Sequence, residues 1–351
     1  MKHERIRVAV VGTGAWWGLQ HAIAFSGRPD ATLCAIAGRT KERTEERARR
    51  FGVPAYTDLD EMLDRERPDL VSVCLPNEGH FEPTLRIIRA GFPLLVEKPL
   101  VFHLAQADAL LAEAARRDLF FAINFNHRYA RPMRLAADAI RAGRVGQLTF
   151  ATWRFGGEPG TSADPHANLI ETQCHGLDLL EHLCGPITSV MAQLSGVTGR
   201  GYSTLAVALE FGNGAVGSLV GTYDSSYTYP GTHLMEINGL DGRILIEDTV
   251  RRYTYTRAGE ETSQVWQAGY FNDRDRGFHA TFDNYLDELL PAFADGRQPP
   301  VHAEAGRRAL NLAHAIIGSY ESGARVATAP AATAGTTPDT PEQRRRLRGP
   351  G

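Results

Sequence analysis

At 351 residues the chain is longer than one typical core accommodates, and its length predicts two domains. Its 38 Lys and Arg against 41 Asp and Glu leave a formal net charge of -3, which gives no electrostatic case for nucleic acid or an anionic membrane and points to a small-molecule ligand. The hydrophobic share of 43% and charged share of 23% are ordinary for a globular protein, and no apolar run reaches the length of a membrane span.

Residues 6–11 form an apolar strand, with Arg7 as its one polar interruption, that runs into Gly12-Thr13-Gly14-Ala15-Trp16-Trp17-Gly18. Glycines after a first strand allow a tight turn and bring backbone N–H groups up to a pyrophosphate at a helix N-terminus. A helix over 21–26 follows. The spacing is G-x-G-x-x-x-G, one residue longer than the usual fingerprint, with Trp17 where the third glycine should stand. Alone, the motif also fits an ordinary glycine-rich turn. Strand 32–37 ends at Gly38-Arg39-Thr40. An Asp or Glu at this place binds a ribose 2′-hydroxyl, whereas an Arg receives a 2′-phosphate. With no acid before Glu42, NADP is favoured over NAD; the alternative is that Arg39 is a solvated residue at a helix start.

Helix 41–51, a short strand near Ala55 and a helix over 59–64 come next. Strand 69–75 terminates in Pro76-Asn77-Glu78-Gly79-His80, a loop placed to lie along a ribose or nicotinamide. Helix 82–90 leads through Gly91 to Leu94-Leu95-Val96-Glu97-Lys98-Pro99-Leu100. Here a buried strand delivers an ionisable pair to its C-terminal edge, where open α/β sheets bind ligands. An isolated Glu-Lys-Pro would otherwise be a surface ion pair capped by a turn. Helix 105–116 and strand 120–124 complete a doubly wound parallel sheet of Rossmann type.

Beyond Asn126 the pattern changes. Strands at 147–155, 187–197, 205–211, 215–222, 233–238, 243–247 and 252–256, with hairpin signals at Asn213-Gly214 and Asp241-Gly242, predict an α+β domain on an open, predominantly antiparallel sheet. A helix over 169–184 places Glu171, His175, Asp178 and His182 on one face. That stripe is an acid/base cluster or a solvated polar face; without a Cys pair or H-E-x-x-H a zinc site is disfavoured, and no metal is expected. The domains expected are 1–125 and 126–326, with a helix over 302–323 packing back on the first. A tail, 327–351, rich in Ala, Thr and Pro, is expected to be disordered. Cys34, Cys74, Cys174 and Cys184 lack C-x-x-C spacing and are expected to be reduced thiols; Cys174 reads as a buried structural one. The apolar run 8–11 is too short for a signal-peptide core, so a cytoplasmic location is expected.

In combination, Gly12-x-Gly14, Pro76-Asn77-x-x-His80, Ala90-Gly91 and Glu97-Lys98-Pro99 resemble the glucose-fructose oxidoreductase, inositol dehydrogenase and MocA (Gfo/Idh/MocA) family. Asn124-Phe125-Asn126-His127-Arg128-Tyr129 and Gly143-x-x-Gly146 are similar to that family's crossover into its second domain. Ser319-Tyr320-Glu321-Ser322-Gly323-Ala324-Arg325-Val326 is similar to its closing helix and strand, so the resemblance spans residues 5 to 326. It implies a dinucleotide-binding Rossmann domain, a second domain for substrate binding and oligomerisation, and a cis Lys98-Pro99 peptide. The cofactor, NADP or NAD, would be held by Gly12, Gly14, Ala15, Trp16, Trp17, Gly38, Arg39, Thr40, Leu75, Pro76, Asn77, His80, Glu97, Lys98, Asn126 and Arg128. In the family an acid four residues before a histidine works with the lysine. Glu171 and His175 occupy those places, although many members carry Asp and a nearby glycine where this chain has Glu171 and Gln173.

Oxidation of an alcohol at a nicotinamide requires that the hydroxyl proton leave with the hydride. His175, with an ordinary pKa near neutrality, is the candidate base, and Lys98 would stabilise the developing oxyanion. Glu171 would orient His175 or accept a hydrogen bond from a neighbouring substrate hydroxyl. The sequence leaves the proton with either Lys98 or His175. Arg128, Tyr129, Trp153 and Arg154 are candidate walls for a polyhydroxylated ring, including one bearing a carboxylate or phosphate, and equally fit packing and surface roles. The loop 223–231, with three tyrosines, either closes on the ligand or forms an interface. The expected function is NAD(P)-dependent oxidoreduction of a secondary alcohol or ketone on a sugar, cyclitol or related ring. The rivals are a cofactor- or sugar-sensing regulator on the same fold and an NAD-dependent glycosidase or lyase with an internal redox cycle. A homo-oligomer, dimer or tetramer, without nucleic-acid or membrane partners, is expected.

Overall fold

The computed structural model describes residues 5–76, 79–159 and 162–328. In the first half, strands β1 (Ile6–Val11), β2 (Ala31–Ala37), β3 (Ala55–Tyr56), β4 (Leu70–Val73), β5 (Leu94–Val96) and β6 (Phe121–Ile123) alternate with helices. These are α1 (Trp17–Gly27), α2 (Lys41–Phe51), α3 (Leu59–Glu66), α4 (Phe81–Arg89) and α5 (Leu104–Arg116). The strands pair in parallel in the order β3-β2-β1-β4-β5-β6. Helices cover both faces, so these strands are nearly continuous apolar runs: Val8, Val10, Leu70, Val71, Leu94 and Leu95 are fully buried. Each contributes about 1.5–3 kcal/mol relative to exposure. Local chemistry sets the helix ends: Asp58 accepts hydrogen bonds from the amides of Asp60 and Glu61 at the start of α3, at 2.8 and 3.1 Å. The strand order reverses between β1 and β4, which opens a crevice at their C-terminal ends.

The second half contains α6 (Arg131–Arg141), β7 (Leu148–Gly156), α7 (Cys174–Cys184), β8 (Ile187–Ser195), β9 (Thr204–Phe211), β10 (Val216–Thr222), β11 (His233–Gly239), β12 (Gly242–Glu247), β13 (Arg252–Arg257) and β14 (Ser263–Gln267). They are followed by α8 (Asp273–Arg276), α9 (Ala280–Ala294), α10 (Glu304–Ser322) and β15 (Val326–Ala327). The sheet runs β14-β13-β12-β11-β7-β10-β9-β8-β15, antiparallel except where β10 lies parallel to β7. One face packs on α6, α7 and α10; on the other, Met191, Val216 and Val220 are exposed.

Several elements differ from the sequence expectation. Helix α1 begins at Trp17 rather than at 21. The regular helix expected over 169–184 is broken: residues Asn168–Thr172 form a wide π turn, and α7 begins only at Cys174. Helices α6 and α9 and strand β14 were not foreseen. Strand β15 pairs with β8, and the Thr328 amide donates to Thr188 O at 2.8 Å, so residues 327 and 328 belong to the fold. The rest of the expected tail, 329–351, lies outside the described residues.

The chain crosses between the two sheets twice. A short 3-10 turn, Asn126–Tyr129, leads out of the first sheet. Residues 299–303 return to its edge, where the Ile123 amide donates to Val301 O and the Ala303 amide to Phe121 O. From there α10 reaches α5 through Arg307 and Asp108 and α7 through Arg308 and Glu181, while His314 Nε2 lies 3.0 Å from Phe102 O. Among the described residues no helix is long and apolar enough to cross a membrane.

Candidate active site

The turn after β1 is built for close approach. Gly12 has φ +132°, and a Cβ there would lie 2.2 Å from Cys74 O. Gly14 has nothing within 4 Å of an added Cβ and opens on a cleft of 840 Å³. The third glycine of the fingerprint is Gly18: its missing side chain lets α1 sit against the turn, where a Cβ would lie 2.7 Å from Gly12 O. The extra residue is absorbed before the helix, so Trp17 is the first residue of α1 and Trp16 its half-exposed predecessor. The cleft continues past Gly38, Arg39, Thr40 and Arg43 on one side and Cys74, Leu75 and Pro76 on the other. A 320 Å³ recess between Arg39, Leu59, Pro76 and Arg86 extends it. A glycine cradle, a helix N-terminus and an adjoining recess suit a dinucleotide.

At its other end the cleft merges with a 780 Å³ chamber, the two sharing Trp16, Trp17, Cys74, Leu75 and Glu171. Strand β5 delivers Glu97 and Lys98 to this chamber, and the Lys98-Pro99 peptide is cis. Glu97 is buried, its Oε1 lying 2.8 Å from His21 Nε2 and accepting from Asn124 Nδ2, while the Lys98 amide donates to its Oε2 at 3.3 Å. His21 is braced in turn by Ser72 Oγ at 2.7 Å and stacks on Phe282 at 4.0 Å. Burial pushes the Glu97 carboxyl up, but the bond and charge of His21, Lys98 and Asn124 outweigh it, and the net shift is downward. Lys98 Nζ donates to the Glu171 backbone carbonyl at 3.0 Å, so the π turn supplies the acceptor that aims the amine.

His175, in the first turn of α7, also lines the chamber. Its ring lies flat on His127, with centroids 3.9 Å apart and planes 9° apart. Both Nδ1 atoms are buried without a hydrogen-bond partner among the described residues, which leaves Nε2 as the nitrogen available to the chamber. Burial first, then His127, Lys98 and His233, hold the His175 imidazole well below its ordinary value, so it needs strong tuning rather than the little expected from sequence. His127 is depressed in the same direction, and burial brings His233 down to about 4.

The wide turn also breaks the expected ionisable stripe. Glu171 lines both cavities, but Nδ1 of His175 has no partner, so Glu171 does not hold that atom. Asp178 is committed to a two-pronged ion pair with Arg128, at 2.7 and 2.5 Å. Arg128 therefore points away from the chamber. Tyr129 is buried against Tyr285, 4.7 Å between centroids. Trp153 is buried beneath α7, its Nε1 donating to Gln173, in the space left by Gly176. Arg154 is exposed and donates to Gly231 O. Asn126 Nδ2 donates to Thr281 Oγ1 at 2.7 Å, and His80 lies between Leu75 O and Pro99 O at 2.7 and 3.0 Å; both brace the scaffold. Asn77 lies outside the described residues.

The chamber instead takes Phe155, Thr172, Tyr223, Tyr227, His233 and Phe278, with His127. Of these, only the tyrosine loop carried a sequence signal. His127 stood inside a quoted motif without a role, and His233 is brought in by the pairing of β11 with β7. Among the described residues no group of three or more His, Cys, Asp or Glu is placed to hold a metal, and all four cysteines are buried free thiols.

A doubly wound sheet whose glycine turn opens on a cleft leading to a lysine and a histidine defines a dinucleotide-dependent oxidoreductase. The chain belongs to the Gfo/Idh/MocA oxidoreductase family: residues 6–125 match its NAD-binding Rossmann fold and residues 135–328 its C-terminal alpha/beta domain. The myo-inositol 2-dehydrogenase of Thermotoga maritima is 28% identical over 340 residues, covering 90% of this chain and 96% of that protein. The scyllo-inositol 2-dehydrogenase (NAD(+)) of Bacillus subtilis is 26% identical over 344 residues, covering 92% and 96%. A levoglucosan dehydrogenase solved with NADH and levoglucosan shares the fold, with a TM-score of 0.83 at 21% identity over 93% of this chain and 100% of that one.

Proposed function

We propose that this oxidoreductase interconverts a secondary alcohol and its ketone on an uncharged polyhydroxylated ring, a sugar or cyclitol, at the chamber between Lys98 and His175. The observation that carries the reading is that Lys98, His175 and Glu171 meet in one cavity that opens directly into the dinucleotide cleft. Relatives named inositol dehydrogenases support the substrate class. Among the described lining residues Lys98 is the one lysine or arginine, burial holds the histidines below their ordinary value, and Glu97, Glu158 and Glu171 are acidic residues. The two arginines that would have received a carboxylate or phosphate are turned elsewhere. Phe155, Tyr223, Tyr227 and Phe278 offer apolar faces to ring C–H groups.

The residues of the cleft fit the dinucleotide: glycine-turn amides for the pyrophosphate, the Leu75-Pro76 wall beside a ribose, and the Arg39 recess for the adenosine. When bound, the nicotinamide supplies or accepts the hydride. His175, proton-free at neutral pH, accepts the hydroxyl proton at Nε2, and Lys98 holds the oxygen and stabilises its growing negative charge. Glu171 positions Lys98 through its carbonyl and offers its carboxylate side to a neighbouring hydroxyl. Arg39, Thr40 and Arg43 border the cleft, and the one acid among the described residues lining the adjoining recess, Asp58, is taken up in capping α3, which supports NADP over NAD. The exposed apolar residues on the outer sheet face support a homo-oligomer, for which light scattering is the check. Four buried free thiols support a cytoplasmic setting. The test is a panel of neutral cyclitols and sugars, with their acid and phosphate derivatives, assayed by nicotinamide absorbance with each cofactor. Turnover confined to charged members, or absent throughout, would overturn the proposal.

A further inference from the structure

The segment Asn126–Tyr129 is rich in polar side chains, yet three of its four residues face scaffold. Asn126 is tied to Thr281, Arg128 to Asp178, and the Tyr129 carbonyl accepts from Asn284 Nδ2 at 3.2 Å. The fourth, His127, points into the chamber and lies flat on His175. Neighbours 127 and 128 thus grip residues 175 and 178, one helical turn apart on α7, by a ring stack and an ion pair. What the His175 ring lacks is equally informative. A reacting histidine is commonly oriented by a hydrogen bond at its second nitrogen, but here Nδ1 is sealed off without one. Its remaining close ring neighbour, Phe125, meets it edge-on at 5.9 Å. His127 is itself wedged among Trp153, Phe155 and Phe278.

We infer that His127 is a positioning residue: its flat stack, rather than a hydrogen bond, fixes the His175 ring with Nε2 towards the substrate. This rests on the reading of His175 as the proton acceptor. A misdirected ring loses catalysis while leaving the ligand sites standing, because reaction depends on alignment far more steeply than binding does. Replacement by a flat ring therefore preserves the function, and replacement by an aliphatic of similar bulk does not.

The experiment compares His127→Leu, His127→Phe, Arg128→Lys and His175→Asn in the full chain, with thermal unfolding as a fold check. His127→Leu is expected to lower kcat roughly 10- to 100-fold, with substrate KM and cofactor Kd within about threefold. His127→Phe should restore most of that loss, and Arg128→Lys, which loosens the ion pair to Asp178 that holds the turn carrying the stack, should lower kcat in the same direction. Histidine ring NMR gives a readout independent of turnover: His175 should show one sharp ring signal set in the wild type and in His127→Phe, and a broadened or doubled set in His127→Leu. Unchanged kcat with a sharp His175 signal in His127→Leu overturns the inference. So does a His127→Phe enzyme as slow as His127→Leu, since a nitrogen of His127 would then take part directly. If His175→Asn keeps its turnover, the fault lies with the catalytic reading, and the ring signals still decide whether the stack orders His175.

Discussion

Lys98 is held at both ends of its reach: its amide is anchored by the buried Glu97, His21 and Asn124 network, and its amine by the Glu171 carbonyl. Because the cofactor cleft is built largely from other residues, Lys98→Met should leave cofactor Kd within about threefold and lower kcat by roughly 10²–10⁴. Equilibrium binding and steady-state rates on the same preparation check this, and near-normal turnover would remove Lys98 from the reaction. Arg39→Ala addresses cofactor choice. Loss of a charge-assisted bond costs about 1.5–3 kcal/mol, so Kd for NADP should rise roughly 10- to 100-fold while Kd for NAD changes little. An unaltered ratio of the two would refute a 2′-phosphate contact. At this scale the sequence marked Lys98, Glu171 and His175 through their motifs. It could not mark His127 or His233, whose place in the chamber comes from a turn and a strand pairing distant in the chain.

Helix α1 shows how an element can hide a familiar motif behind one extra residue. Counting from Gly12 puts Trp17 at the third glycine, but the helix starts at Trp17 itself, and Gly18 performs the close packing. A methyl at Gly18 would lie 2.7 Å from Gly12 O and 3.1 Å from Gly12 C, backbone atoms that cannot swing aside as a side chain would. Gly18→Ala should therefore cost about 1–3 kcal/mol and displace the turn. A lower thermal midpoint together with at least a tenfold rise in cofactor Kd is expected, from calorimetry and titration; wild-type binding would return Gly18 to an incidental role. Helix α9 was not foreseen, yet its signal was legible, since Phe282, Tyr285, Leu286, Leu289 and Leu290 follow helical spacing and are all buried. The π turn was not. A one-residue widening leaves the hydrophobic pattern of 169–184 almost unchanged, yet it turns Asp178 to Arg128 and sets the Glu171 carbonyl against Lys98.

Across the whole molecule, buried imidazoles tie stability to pH. His127 and His175 are held well below 6.5 and His182 and His233 are brought down to about 4, burial being the leading cause for each. Below pH 6.5 the unfolded chain binds protons that the folded chain refuses, so stability rises with pH between about 4 and 6.5 and is lost on acidification through that window. Each such group contributes a slope approaching about 1.4 kcal/mol per pH unit. Urea unfolding at pH 7, 6 and 5 should show a steep decline that replacement of His182 by Phe reduces; a flat profile would place these imidazoles in water.

The double crossing between the sheets governs how the chamber meets its ligands. Lys98 stands on one layer and His175 on the other, and the layers are tied at 126–129 and again at 299–303 and α10. Rotation of one against the other is opposed by the paired crossings beside β6, by the α10 ion pairs to Asp108 and Glu181, and by the bond from Lys98 Nζ to the Glu171 carbonyl, so the spacing of amine and imidazole is set before any ligand arrives. The cost of fitting then falls on the ligand. Rings that match this fixed gauge need no rearrangement of the protein, and bulkier ones meet a wall that does not yield. Across a graded series of ring substituents, turnover should stop abruptly at one size instead of fading.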